Sequence, residues 1–149
     1  MSQLLTPELV ELDLVASDRH EASRRLGELL VAAGRVTDLD GFLADVRARE
    51  EQMPTGLPGG IGIPHCRSPH VAVPTLAFGR SATGVDFGAE DGPATLIFMI
   101  AAPDGAGSEH MTILAALARK LIHESFRKSL MTAPDAQTVV DIVAREVGA

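Results

Sequence analysis

The chain has no tryptophan and no tyrosine, and its five phenylalanines bring aromatics to only 3% of 149 residues. Such a chain has no platform for stacking bases. It also has few of the amphipathic rings that hold a sugar's apolar face, so any service to a sugar is expected at one remove. A single cysteine, Cys66, excludes an internal disulfide, and nothing points outside the cytoplasm. Long apolar runs are missing: the longest nearly unbroken one, Ala94 to Ala102, is far too short to span a bilayer. The first residues lack the basic and apolar regions of a signal peptide. Positive charge is scarce as well. Thirteen Lys and Arg against 20 Asp and Glu give a net charge of −7, which argues against nucleic acid and anionic membranes as partners.

What is present is an ordinary globular composition, 46% hydrophobic and 22% charged, in a length that suits one domain over 1–149. Val10 to Val15 alternates apolar and charged residues, which predicts a half-buried strand. Asp18 with Glu21 three residues later predicts a helix start, Ala22, Leu26, Leu29, Leu30 and Ala33 its apolar stripe, and Gly34 its end. A second helix is expected from Thr37 or Asp38, with Leu39, Phe42, Leu43 and Val46 inward and Arg47, Arg49, Glu50 and Glu51 near its end. Val71 to Phe78 reads as a strand interrupted by Pro74, hence an edge or a bulge. Gly84 to Gly88 and Asp91 to Pro93 read as turns, and Thr95 to Ile100 as a strand covered on both faces. Ser108 is the expected cap of a periodic helix through Ile113, Leu117 and Leu121. A short helix near Glu124 to Met131 and a last one after Pro134-Asp135 follow. Helices before, between and after strands imply an α/β class fold, a three-layer α/β/α sandwich around a mixed parallel/antiparallel sheet.

The chain is organised around Gly59-Gly60-Ile61-Gly62-Ile63-Pro64-His65-Cys66-Arg67. Ile61 and Ile63 alternate with Gly62 as in a short buried strand. Pro64 fixes its own φ and biases Ile63 toward extended geometry, so His65 emerges at a strand end with little backbone freedom. An imidazole so presented, with Arg67 two residues on, suits a nucleophile for an anionic group; the same window also suits a core histidine. A neutral imidazole is a good nucleophile near neutral pH, and its phosphoramidate keeps high transfer potential.

The segment Ile61-Gly62-Ile63-Pro64-His65-Cys66 resembles the phosphorylation site of the fructose–mannitol type enzyme IIA of the bacterial sugar phosphotransferase system. Gly62 departs from the pattern, which usually has Ala there. The resemblance extends over essentially the whole chain and implies that family's fold. It implies that His65 accepts phosphate from the phosphocarrier protein HPr on Nε2, with Nδ1 held by a hydrogen bond. The phosphate would then pass to a cysteine of enzyme IIB, which works with the membrane enzyme IIC. Ile63 to Ser68 and Val85 to Ala89 look most like fructose-specific members. A nitrogen-regulatory enzyme IIA, which tunes a partner by its phosphorylation state, is the other class with the same site.

Two more residues follow from the resemblance, and a third from its place in the chain. Arg49, in Arg49-Glu50-Glu51-Gln52-Met53-Pro54-Thr55-Gly56, matches an arginine that helps hold the phosphoryl group. A guanidinium suits phosphate with its planar fork of donors, although an arginine at a helix end also suits the helix dipole. His110, in Pro103-Asp104-Gly105-Ala106-Gly107-Ser108-Glu109-His110, matches a second active-site histidine that contacts the phosphoryl group without accepting it. The positive end of a helix capped at Ser108 would keep that imidazole neutral. Thr55 stands in the loop between Arg49 and His65, where its hydroxyl suits a phosphate oxygen, the imidazole or a turn cap. Phosphoryl transfer of this kind needs positioning and charge stabilisation, and neither metal nor cofactor is expected.

His65 and Cys66 are adjacent on extended backbone and point to opposite sides, which weakens a zinc reading of His65-Cys66 with His70. There is no dinucleotide fingerprint, no P-loop and no nucleophile elbow. Transient docking of a carrier predicts apolar surface around His65, with Ile61, Ile63, Val71 and Phe87 as its nearest contributors in sequence.

Overall fold

The computed structural model describes residues 4–105 and 109–147, without the side chains of 109–111. Its sheet is six-stranded and mixed. Strands β1 (Val10–Glu11), β5 (Thr75–Val85), β6 (Ala94–Pro103), β3 (Ile61–Gly62) and β2 (Gly56–Leu57) lie side by side in that order, and β4 (His65–Ser68) also pairs with β6. β6 is the spine: it runs antiparallel to β5 and parallel to both β3 and β4. Its apolar run Leu96 to Ala102 is buried on both faces, as the lack of alternation predicts. Phe98 stacks at a tilt on Phe78 of β5, ring centroids 4.9 Å apart.

Helices α1 (Arg19–Ala32) and α2 (Leu39–Gln52) pack together and against β5 and β4. α3 (Glu109–Leu121), α4 (Glu124–Thr132) and α5 (Ala136–Val147) pack together and against β6 and β1. The result is the expected three-layer sandwich. Capping chemistry sets the helix starts. The Asp18 carboxylate accepts from Glu21 N at 2.8 Å, and Asp38 accepts from Gly41 N at 3.2 Å. Gly34, at φ 74°, ends α1 in the left-handed region that glycine enters at no steric cost. Ser108, the expected cap of α3, lies outside the described residues. No described helix is long and apolar enough to cross a membrane.

Two strand expectations need correction. The strand expected over Val10 to Val15 ends at Glu11, because the Glu11 carboxylate accepts from Asp13 N at 3.1 Å and turns the chain. The strand expected over Val71 to Phe78 begins only after Pro74, whose missing N–H keeps it out of the ladder, and runs on to Val85 between β1 and β6. It is central, not an edge. The residues read as a turn from Gly84 belong partly to it, beyond a register shift between Arg80 and Val85.

Candidate active site

His65 sits where one strand is interrupted without losing register. Ile61 stands opposite Leu96, and His65 opposite Ile100, so β3 and β4 follow β6 with no residue inserted between them. Pro64 O accepts from Ile100 N at 3.0 Å, which turns that carbonyl toward β6. Residue 63 faces the other way: Ile63 N donates to Thr55 O at 3.3 Å. Donor and acceptor of one strand residue share a side, so the Ile63 carbonyl also faces outward. There the His65 ring takes it, with Nδ1 2.7 Å from Ile63 O. A carbonyl only accepts, so Nδ1 carries the proton and the lone pair of the neutral ring is on Nε2.

The half-buried imidazole borders an open cleft of about 400 Å³ between α2 and β4, lined by Asp45, Ala48, Arg49, Gln52, His65, Cys66 and Arg67. Arg49 and Arg67 line this cleft together with the histidine. Arg49 is steadied on its own helix end, where its Nη1 donates to Met53 O at 3.0 Å. Asp45 carries the opposite charge and accepts from the fully buried Ser68 hydroxyl at 2.6 Å, which locks α2 to β4. Cys66 points inward from β4, and burial, with Asp45 as a second cause, pushes its thiol up to about 12. It is a neutral, packed side chain beside the histidine.

Three of the residues singled out in the sequence, Arg49, His65 and Arg67, thus share one cleft. Thr55 is not among its lining residues. It is buried, and its hydroxyl donates to Glu50 Oε1 at 2.7 Å. His110 lies in the first turn of α3, and its side chain is outside the described residues. The expected apolar rim is a correction: Ile61, Ile63, Val71 and Phe87 are all buried, because each packs into the hydrophobic core. Apolar exposure near the cleft comes instead from Met53. Sequence reasoning missed Asp45 and Glu50. Glu50 had a signal, since Phe42, Val46 and Glu50 recur at four-residue spacing on the inward face of α2.

Residues 3–146 match the family model of the phosphoenolpyruvate-dependent sugar phosphotransferase system, EIIA 2. The chain belongs to this family. As an EIIA component it is a phosphoryl carrier and a transferase. The PTS system fructose-specific EIIA component of Haloferax volcanii is 45% identical over 145 residues, 96% of this chain and 94% of that one. The fructose-specific EIIABC component of Bacillus subtilis is 35% identical over 96% of this chain, which spans only 23% of that relative's length. Among solved structures, the nitrogen regulatory protein IIA-Ntr from Neisseria meningitidis superposes with a TM-score of 0.86 at 34% identity, covering 94% of this chain and 96% of that one. Enzyme IIA for mannitol from Escherichia coli, in complex with phosphorylated enzyme IIB, gives 0.80 at 28% identity over 95% and 97%. The family and the fold implied by the resemblance are therefore borne out, and the chain is an EIIA component of the phosphotransferase system.

Proposed function

We propose that Nε2 of His65 is the phosphoacceptor of a fructose-type enzyme IIA. It takes a phosphoryl group from phosphorylated HPr and passes it to a cysteine of enzyme IIB, which acts with the membrane enzyme IIC. The observation that carries this is the 2.7 Å bond from His65 Nδ1 to Ile63 O, which fixes the tautomer with its lone pair on Nε2. Arg49 and Arg67, on the same cleft, offer fixed donors and positive charge to the transferring oxygens. His110, at the start of α3, is the additional donor. With in-line positioning and charge neutralisation supplied by side chains, the transfer requires no cofactor.

The fructose reading is supported by the 45% identity to the Haloferax volcanii protein. The nitrogen-regulatory reading is supported by the 0.86 superposition on IIA-Ntr. They part at the second step, because only the first requires onward transfer to a sugar-specific enzyme IIB. Incubation with phosphorylated HPr and mass spectrometry under alkaline conditions tests the first step: wild type gains one phosphoryl group and His65→Ala none. A His65→Ala protein that still gains it overturns the assignment. Delivery of the group to a fructose enzyme IIB then separates the two roles.

A further inference from the structure

Glu50 is a carboxylate with 6% exposure, one helix position from Arg49, and it is not among the residues that line the cleft. Both of its oxygens are spent on the segment that joins Arg49 to His65. Oε1 accepts the Thr55 hydroxyl at 2.7 Å, and Oε2 accepts Thr55 N at 2.8 Å and Arg19 Nη1 at 3.3 Å. Arg19 also reaches Asp86 at 3.6 Å, tying the countercharge to the loop behind β2.

The ladder explains what this carboxylate changes. Gly56 pairs with Gly62 and Leu57 with Ile61, so continuing the antiparallel register places Thr55 opposite Ile63. Such a pair normally exchanges two N–H···O bonds. Here only one is made, Ile63 N to Thr55 O at 3.3 Å. The return donor, Thr55 N, goes to Glu50 instead, and the Ile63 carbonyl it would have reached accepts from His65 Nδ1 at 2.7 Å. We propose that Glu50, with Arg19 as its countercharge, is a positioning residue for phosphoryl transfer: by diverting the Thr55 amide it reserves the Ile63 carbonyl for the His65 ring and fixes the nucleophilic tautomer. This deepens the phosphoacceptor reading of His65 and rests on it. A glutamine would keep an oxygen for the Thr55 amide while the Thr55 hydroxyl turned to accept from its NH₂, so the substitution that releases the amide is leucine, which has no acceptor.

The test uses the full chain labelled with ¹⁵N in histidine. The His65 tautomer is read by NMR, transfer from phosphorylated HPr by single-turnover kinetics, and the fold by circular dichroism. Glu50→Leu is expected to bring the Nε2–H tautomer of His65 into view and to slow transfer by about 10²-fold, as a small misplacement of reacting groups does. Glu51→Gln, at the exposed neighbouring position, should change neither. A folded Glu50→Leu protein with the wild-type tautomer and the wild-type rate overturns the proposal. If that variant does not fold, Arg19→Gln takes its place: a smaller tautomer shift in the same direction supports the proposal, and none in a folded protein overturns it. Wild type that takes no phosphate would instead sink the reading of His65, and the tautomer signal would still decide whether Glu50 positions the ring.

Discussion

Phe87 occupies the space that a side chain on Gly62 would need: a Cβ there would stand 2.6 Å from Phe87 Cδ2 and 2.7 Å from its Cγ. The ring is 1% exposed and has nowhere to retreat. Gly62→Ala, which restores the residue usual at this point of the family pattern, is therefore expected to destabilise the protein by about 1–3 kcal/mol. Urea unfolding measures it. Adding Phe87→Leu should recover part of the loss, and a fully stable Gly62→Ala protein would show that the ring moves freely.

Arg49 should matter for rate and little for stability. Arg49→Ala is expected to slow transfer from phosphorylated HPr by about 10²-fold, the usual cost of one preorganised donor. Arg49→Lys should restore only part, since an ammonium supplies charge without the planar fork. His110→Ala should act in the same direction, and the double variant should cost less than the sum if both grip the same oxygens. Single-turnover rates decide; a wild-type rate for either single variant removes that residue from the site.

The thiol of Cys66 should be inert in the folded protein. With its pKa pushed up to about 12, it is neutral at pH 8, so iodoacetamide should label it far more slowly in buffer than in urea. The sign of the linked stability follows. The raised value belongs to the folded state, so this contribution is complete below the ordinary thiol range and is lost as pH rises from about 9 toward about 12. Native labelling as fast as denatured labelling would show Cys66 accessible.

Ser68→Ala removes the hydroxyl that donates to Asp45 at 2.6 Å and accepts His70 N at 3.2 Å. The loss of this bond between β4 and α2 should cost roughly 1–3 kcal/mol, because Asp45 keeps its charge without its donor. Thermal unfolding checks the size, and an unchanged melting temperature would mean that water replaces the hydroxyl.

Much of this is legible in the amino-acid sequence. Asp18 and Asp38 announce α1 and α2 through local capping, a signal confined to a few residues, and the unalternating run of β6 declares burial on both faces. Pro64 before His65 announces the presented imidazole. What was illegible depends on partners distant in the chain. Ser81 is buried with no exposure inside the register shift of β5, where its hydroxyl accepts from Gly84 N at 3.0 Å. Pro74 reads as an interruption but is a boundary, and only the pairing partner of Thr75 distinguishes the two. Of the adjacent acids Glu50 and Glu51, the spacing from Phe42 and Val46 marks Glu50 as the inward one, but its countercharge, Arg19 on another helix, is not legible.

The bond from His65 Nδ1 to Ile63 O bears on how the group leaves as well as how it arrives. In the proposed cycle the Nε2 lone pair becomes the N–P bond, Nδ1 keeps its proton, and the ring turns cationic. A backbone carbonyl favours that charge. A cationic ring departs from phosphorus as neutral imidazole, so the outgoing step needs no general acid and the incoming step no general base. Nucleophile and leaving group are the same species seen from two directions. The proton count of the side chain is then constant throughout, and the direction of flow is set by the carriers on either side.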